Sequence, residues 1–178
     1  MRAVIVYESM YGNTHRIADA IAKGMKPGNE VTVIPVSTVT RELLNGADLV
    51  VAGGPTHVHG ISRASTRKAA VEQAGKSAGR LTLDASATAD GPGLRDWFSS
   101  VGQISASAAA FDTRIAGPAM VMGQASRGIA KLLKQHGLKM VGPAKSFLVT
   151  KENALQPGEE DRARAWGREL AGRMCHQP

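Results

Sequence analysis

Hydrophobic positions along the chain follow two alternating patterns. Short runs with few polar residues, Ala3–Tyr7 (AVIVY), Val31–Val36 and Ala47–Ala52 (ADLVVA), predict strands buried in a sheet. The third run stops at Gly53-Gly54-Pro55. Between these runs apolar residues recur at helical spacing. In Thr14–Met25, the residues Ile17, Ala18, Ile21, Ala22 and Met25 share one face, and Arg63–Ala78 also reads as a helix. Farther along, Ser107–Thr113 predicts a fourth strand, alanine-rich and a weak β-former. Gln124–Gln135 predicts a helix with Ile129, Leu132 and Leu133 inward, and Leu138–Val149 a fifth strand interrupted at Gly142-Pro143. Gly158–Met174 predicts a closing helix with Ala163, Trp166, Leu170 and Met174 on one side.

Strands alternating with helices predict an α/β fold, a five-stranded parallel sheet with helices on both faces. In such doubly wound sheets ligands bind beyond the carboxyl ends of the strands, where the strand order reverses. Residues 79–105 break the rhythm. They hold the turn-forming ADGPG and then LRDWF, and read as a loop excursion before the fourth strand, with a short helix near Leu94–Val101.

The 178 residues, 43% of them hydrophobic, suit a single domain over 1–178 and exclude a disordered chain or a collagen-like repeat. The lone cysteine, Cys175, can form neither an internal disulfide nor a multi-cysteine metal site, and a reducing, cytoplasmic setting is expected. The opening apolar run is shorter than a signal-peptide core, and no run is long enough to span a membrane. The formal net charge is +7. Between Thr113 and Lys151 there is no Asp or Glu, but there are Arg114, Arg127, Lys131, Lys134, Lys139, Lys145 and Lys151. Of these, Arg127, Lys131 and Lys134 share one helix face, readable as a solvated face or as a site for an acidic redox partner. Nucleic acid is not expected, because no aromatic stacking platform or recognition motif accompanies the charge.

The segment after the first strand carries the most chemistry. Ser9 and Thr14 supply hydroxyls, Gly12 lets the backbone approach a ligand, and Asn13 suits a turn or cap, with Met10 and Tyr11 between them. The unpaired N–H groups that open a helix favour an anion, so this corner reads as a phosphate cradle. With no Lys or Arg in the loop it suits a monophosphate, and the P-loop pattern of nucleoside triphosphatases is absent.

The run from Ile5 to Ile21, IVYESMYGNTHRIADAI, resembles the flavodoxin signature: aliphatic residues leading to an aromatic, then a hydroxyl, a small residue, a threonine, an alanine and a closing aliphatic. The resemblance implies a sheet order of 2-1-3-4-5 and bound FMN, its phosphate on Ser9, Met10, Tyr11, Gly12, Asn13 and Thr14. It also implies a second loop, Pro55, Thr56, His57, Val58, His59 and Gly60, walling the isoalloxazine. Flavodoxin-like proteins often have Pro-Thr and then an aromatic there. Pro55 and Thr56 match, and His57 or His59 replaces the aromatic, open to reading as surface residues instead. The third loop, with Thr113, Arg114 and Gly117, lacks the family's stacking tyrosine. Trp97 and Phe98 could cover the ring or belong to the core. Short-chain flavodoxins surround the flavin with acidic residues. Arg114 near its pyrimidine edge would instead stabilise the anionic reduced ring by a few kcal/mol before desolvation, at an effective dielectric of about 20. Pointing to solvent, it would do neither. Three functional readings stay open: an electron carrier between a reductase and an acceptor, an FMN-dependent oxidoreductase taking a nicotinamide donor and a quinone, and a flavodoxin-fold binding module with little flavin affinity.

Overall fold

A computed structural model describes residues 1–57, 60–87 and 89–175. The elements run β1 (Arg2–Tyr7), α1 (Asn13–Met25), β2 (Glu30–Pro35), α2 (Arg41–Leu44), β3 (Leu49–His57), β4 (Gly60–Ile61), α3 (Ala64–Lys76), α4 (Leu94–Val101), β5 (Ser107–Ile115), α5 (Ala119–Met122), α6 (Ala125–Gln135), β6 (Lys139–Met140), β7 (Lys145–Val149) and α7 (Glu159–Cys175).

The long strands pair in parallel. Ala3 of β1 lies opposite Val31 of β2 and Leu49 of β3, and Val51 of β3 lies opposite Ala109 of β5. β6 and β7 both pair with β5 and form an interrupted fifth strand, so the sheet follows the expected order 2-1-3-4-5, with the break at 141–144. The connection leaves β1 toward β2 on one side and returns to β3 on the other, which opens a crevice at the carboxyl ends of β1 and β3.

Period-two alternation explains the two cores. Ala3, Ile5 and Tyr7 of β1 face Ile17, Ile21 and Met25 of α1 and Trp166 and Leu170 of α7. Val4 and Val6 face the other way, toward Leu94, Trp97 and Phe98 of α4 and Ile129 and Leu133 of α6. Trp97 and Phe98 are therefore core residues of the second layer. The alanines of β5 are nearly inaccessible, because burial between two helical layers overrides their weak propensity. α1 and α7 approach so closely that a Cβ on Gly24 would sit 2.1 Å from the Arg164 carbonyl oxygen, and one on Gly167 2.2 Å from that of Ile21.

One expectation changes. The third strand does not stop before Gly53 but runs to His57, pairing Gly53, Gly54 and Pro55 with Phe111, Asp112 and Thr113 of β5. Pro55 lies past the last pair with β1, Tyr7–Gly53, so its missing N–H breaks no ladder there. The chain then doubles back antiparallel, with Thr56 opposite Ile61 and His57 opposite Gly60.

Candidate functional site

The strand ends set out the site. After β1, the Glu8 amide still bonds the Gly53 carbonyl at 2.9 Å, but its side chain turns inward. The Glu8 carboxylate accepts bonds from the Ser62 hydroxyl and from the amide that opens α4, Leu94 N at 2.8 Å. Gly12, at φ +85°, caps α1 in the left-handed region where a side chain would be strained. Its amide donates to Ser9 Oγ at 3.1 Å. The next amides, of Asn13, Thr14 and His15, have no acceptor within the helix, and the hydroxyls of Ser9 and Thr14 stand beside them.

Side chains then tie this corner to the other loops. Thr14 Oγ1 lies 2.8 Å from Thr113 Oγ1 at the end of β5. Asn13 Nδ2 donates to the carbonyl of Asn153 at 2.9 Å, in the turn after β7. The Tyr11 hydroxyl donates to the Ala70 carbonyl of α3, also at 2.9 Å. The buried Met10 offers its carbonyl to the Asp84 amide at 2.8 Å, which straps the 79–105 excursion to the corner. The Asp84 carboxylate accepts from Ser86 and meets His15 Nδ1 at 3.0 Å, while the His15 ring stacks on Tyr7. Burial raises the pKa of Asp84, but bonds from the Ser86 hydroxyl and amide and from His15 outweigh it, and the carboxyl titrates below its usual range.

At the end of β3, the Thr56 hydroxyl donates to the fully buried Asp112 at 3.1 Å and accepts the Ala125 amide at 2.9 Å. Asp112 also receives the Ser126 amide at 2.8 Å, so it fastens the start of α6 to β3 and β5. Burial lowers the pKa of the half-buried His57, opposed by the Glu8 carboxylate and reinforced by the Arg67 guanidinium. Its Nε2 is buried without a partner among the described residues. Arg114 neither points freely to solvent nor pairs with an acid among the described residues. Its Nη1 bonds the carbonyls of Gly117 at 2.8 Å and Ile115 at 3.2 Å, and its Nε is buried and unpartnered.

These elements enclose one cleft of about 940 Å³. Ser9, Met10, Tyr11, Asn13, Thr14, Pro55, Thr56, His57, Thr113 and Arg114 line it. Gly12 shapes the corner through its backbone. Gly60 and Gly117 do not line the cleft: Gly60 is spent in the β4 hairpin and Gly117 holds Arg114 by its carbonyl. Val58 and His59 lie outside the described residues. Two walls escaped the sequence reading. One is α3 and its end, with Thr66, Ala69, Ala70, Gln73 and Lys76, then Ser77, Arg80 and Leu81. The other is Lys151, Glu152 and Asn153 after β7. The first had a signal, since Thr66, Ala69, Ala70 and Gln73 fall at i, i+3, i+4 and i+7. The stripe is two alanines flanked by Thr66 and Gln73, with no large apolar side chain, so a hydrophobic pattern passes over it.

A doubly wound sheet with a polar helix N-terminus, two hydroxyls and a deep cleft at its switch point defines a mononucleotide-binding α/β protein. The family model described as Flavodoxin matches residues 5–166, and the chain belongs to the flavodoxin family. FMN is the cofactor that this membership brings, and the chain is an FMN-binding redox protein of flavodoxin type. Solved structures agree on the fold. An archaeal flavodoxin superposes with a TM-score of 0.67 at 20% identity, covering 99% of this chain and 100% of the other. Flavodoxin 1 from Bacillus cereus gives 0.62 at 18%, with 100% of both chains covered. A WrbA-like protein from Agrobacterium tumefaciens gives 0.58 at 19%, with 99% of each covered. No curated protein sequence matches the chain significantly.

The residues present fit FMN. The unpaired amides at the start of α1, with the Ser9 and Thr14 hydroxyls beside them, suit its phosphate, and Lys151 adds a cation to the same cleft. His57 Nε2 and Arg114 Nε, buried and without partners among the described residues, suit the polar edge of a ring. Among the described residues no helix is long and apolar enough to cross a membrane.

Proposed function

We propose that the chain is an electron carrier, a single unit that takes electrons from a reductase and passes them to an acceptor protein. One observation carries this reading: the cleft's hydroxyls are committed to holding the site together. Ser9 accepts from Gly12, Thr14 pairs with Thr113, and Thr56 bridges Asp112 and α6. A site so arranged binds and tunes, and leaves the chemistry to its cofactor. Bound FMN supplies that chemistry by accepting and passing on one or two electrons.

The chain's own residues have three tasks in this reading. The first turn of α1 holds the phosphate by amides and hydroxyls. His57 is neutral at neutral pH because burial lowers its pKa, and its Nε2 is available to a hydrogen bond that adds no charge. Arg114, fixed by Gly117, places a positive charge at the cleft and favours negative charge developing there.

A second reading has its own support. The cleft continues along α3 to Lys76 and Arg80, which leaves room and cations for a small anionic co-substrate, as an FMN-dependent oxidoreductase using a nicotinamide donor and a quinone requires. Steady-state turnover separates the two. The carrier reading expects no oxidation of NADH or NADPH by quinone with the FMN-loaded chain alone, and turnover once a flavodoxin reductase is added. Rapid unaided turnover refutes it.

A further inference from the structure

The cleft is bordered by apolar side chains that nothing covers. Ile115 lines the cleft and is 42% exposed, and on α5, just beyond the turn that Arg114 pins, Met120 is 98% and Val121 59% exposed. These are the large hydrophobic residues left exposed among the described residues, and all three fall within the short stretch 115–121 that begins at the cleft. Scattered apolar side chains need no explanation, but a cluster beside a ligand site marks a contact surface.

Charge continues the surface. α6 starts against the cleft, since its first amides bond Thr56 and Asp112. Arg127 stands in that first turn, and Lys131 and Lys134 follow on the same face, about 10 Å along the helix. All three are exposed, and among the described residues none is in an ion pair. On α7, by contrast, Arg162, Arg164 and Arg173 face Glu159, Asp161 and Glu169. Arg127, Lys131 and Lys134 thus form an unneutralised row that starts beside the cleft.

We propose that the rim of Ile115, Met120 and Val121, continued by Arg127, Lys131 and Lys134, is the docking surface for an acidic redox protein. The inference rests on the electron-carrier reading above and names its partner by charge. An apolar centre beside a row of charge is how a transient complex is steered and then seated: the charge raises the encounter rate, and the uncovered side chains lose water on contact. A second copy is disfavoured, because two chains of formal charge +7 repel. Nucleic acid would use the cations but has no use for an exposed Met and Val at their head.

The test uses cytochrome c, which is basic, and the same protein succinylated on its lysines, which is acidic. Binding to each is measured by calorimetry with the chain FMN-loaded and FMN-free, at about 10 and about 150 mM salt. We expect binding to the succinylated form alone, weakened by salt. R127E/K131E/K134E should weaken it by roughly tenfold or more. M120S should weaken it severalfold with the same salt dependence, and both variants should keep the wild-type circular dichroism. Electron transfer from the reduced, FMN-loaded chain should follow the same order. A chain that takes up no FMN refutes the carrier reading, and the binding measurements still decide the surface. Equal or tighter binding of native cytochrome c overturns the proposal, as does indifference to the triple reversal. So do low-salt self-association abolished by M120S and tighter binding of a single-stranded oligonucleotide.

Discussion

Thr14→Val tests the phosphate corner directly. Thr14 is 2% exposed and its Oγ1 sits 2.8 Å from Thr113 Oγ1. Valine has nearly the same shape, so the change opens no cavity and removes only the hydroxyl. Losing the Thr14–Thr113 bond costs the folded chain about 0.5–1.5 kcal/mol. The hydroxyl keeps capacity for one more bond, and to a phosphate that bond is charge-assisted, so FMN should lose about 1–3 kcal/mol, or about 5- to 150-fold in Kd. The assay is quenching of flavin fluorescence, titrating FMN and riboflavin side by side. Riboflavin lacks the phosphate, so Thr14→Val should weaken FMN and leave riboflavin almost unchanged. Thr113→Val breaks the same pair but keeps the Thr14 hydroxyl, and should not discriminate between the two ligands. If Thr14→Val weakens both equally, or neither, the phosphate is not held at the start of α1 and the assignment of the corner is wrong.

The other expectations are briefer. Gly24→Ala drives a methyl into the Arg164 carbonyl, 2.1 Å away, and should destabilise the chain by about 1–3 kcal/mol or more in urea unfolding; an unchanged midpoint means that α1 and α7 do not pack this closely. Asp84 titrates below its usual range when folded, so its stabilisation is full above the unfolded aspartate pKa and is lost as pH falls through the lower folded value. Asp84→Asn should therefore flatten the acid limb of a melting-temperature profile, and an identical limb removes Asp84 from it. His57 has the opposite consequence for a base: below about pH 6.5 the unfolded chain binds the proton and the folded chain resists it, so stability rises with pH up to that point. His57→Gln should reduce that slope, and an unaltered profile contradicts a neutral imidazole held by its surroundings. Arg114→Ala removes a cation from the cleft wall and should lower the two-electron midpoint of bound FMN in redox titration, which a null shift would refute.

The strand–turn–helix corner proposed for the phosphate was legible in the sequence because its chemistry is local. Ser9 to Thr14 are consecutive, a strand precedes them and an amphipathic helix follows, and a helix must begin with unpaired amides whatever surrounds it. The parallel sheet was legible for a similar reason, since alternating strands and helices admit few topologies. Tertiary structure decided the rest. Residues 99 apart join in Thr14–Thr113 and residues 140 apart in Asn13–Asn153, and no spacing rule links such positions. β3 passes through Gly53-Gly54-Pro55 because β5 lies alongside to pair with it, a neighbour that local propensity does not include. The wall along α3 is a stripe of alanines flanked by Thr66 and Gln73, which means a surface helix until the fold sets a cleft against it. Sequence fixes backbone chemistry within a turn or two, whereas contacts between distant segments depend on how the sheet brings the strand ends together.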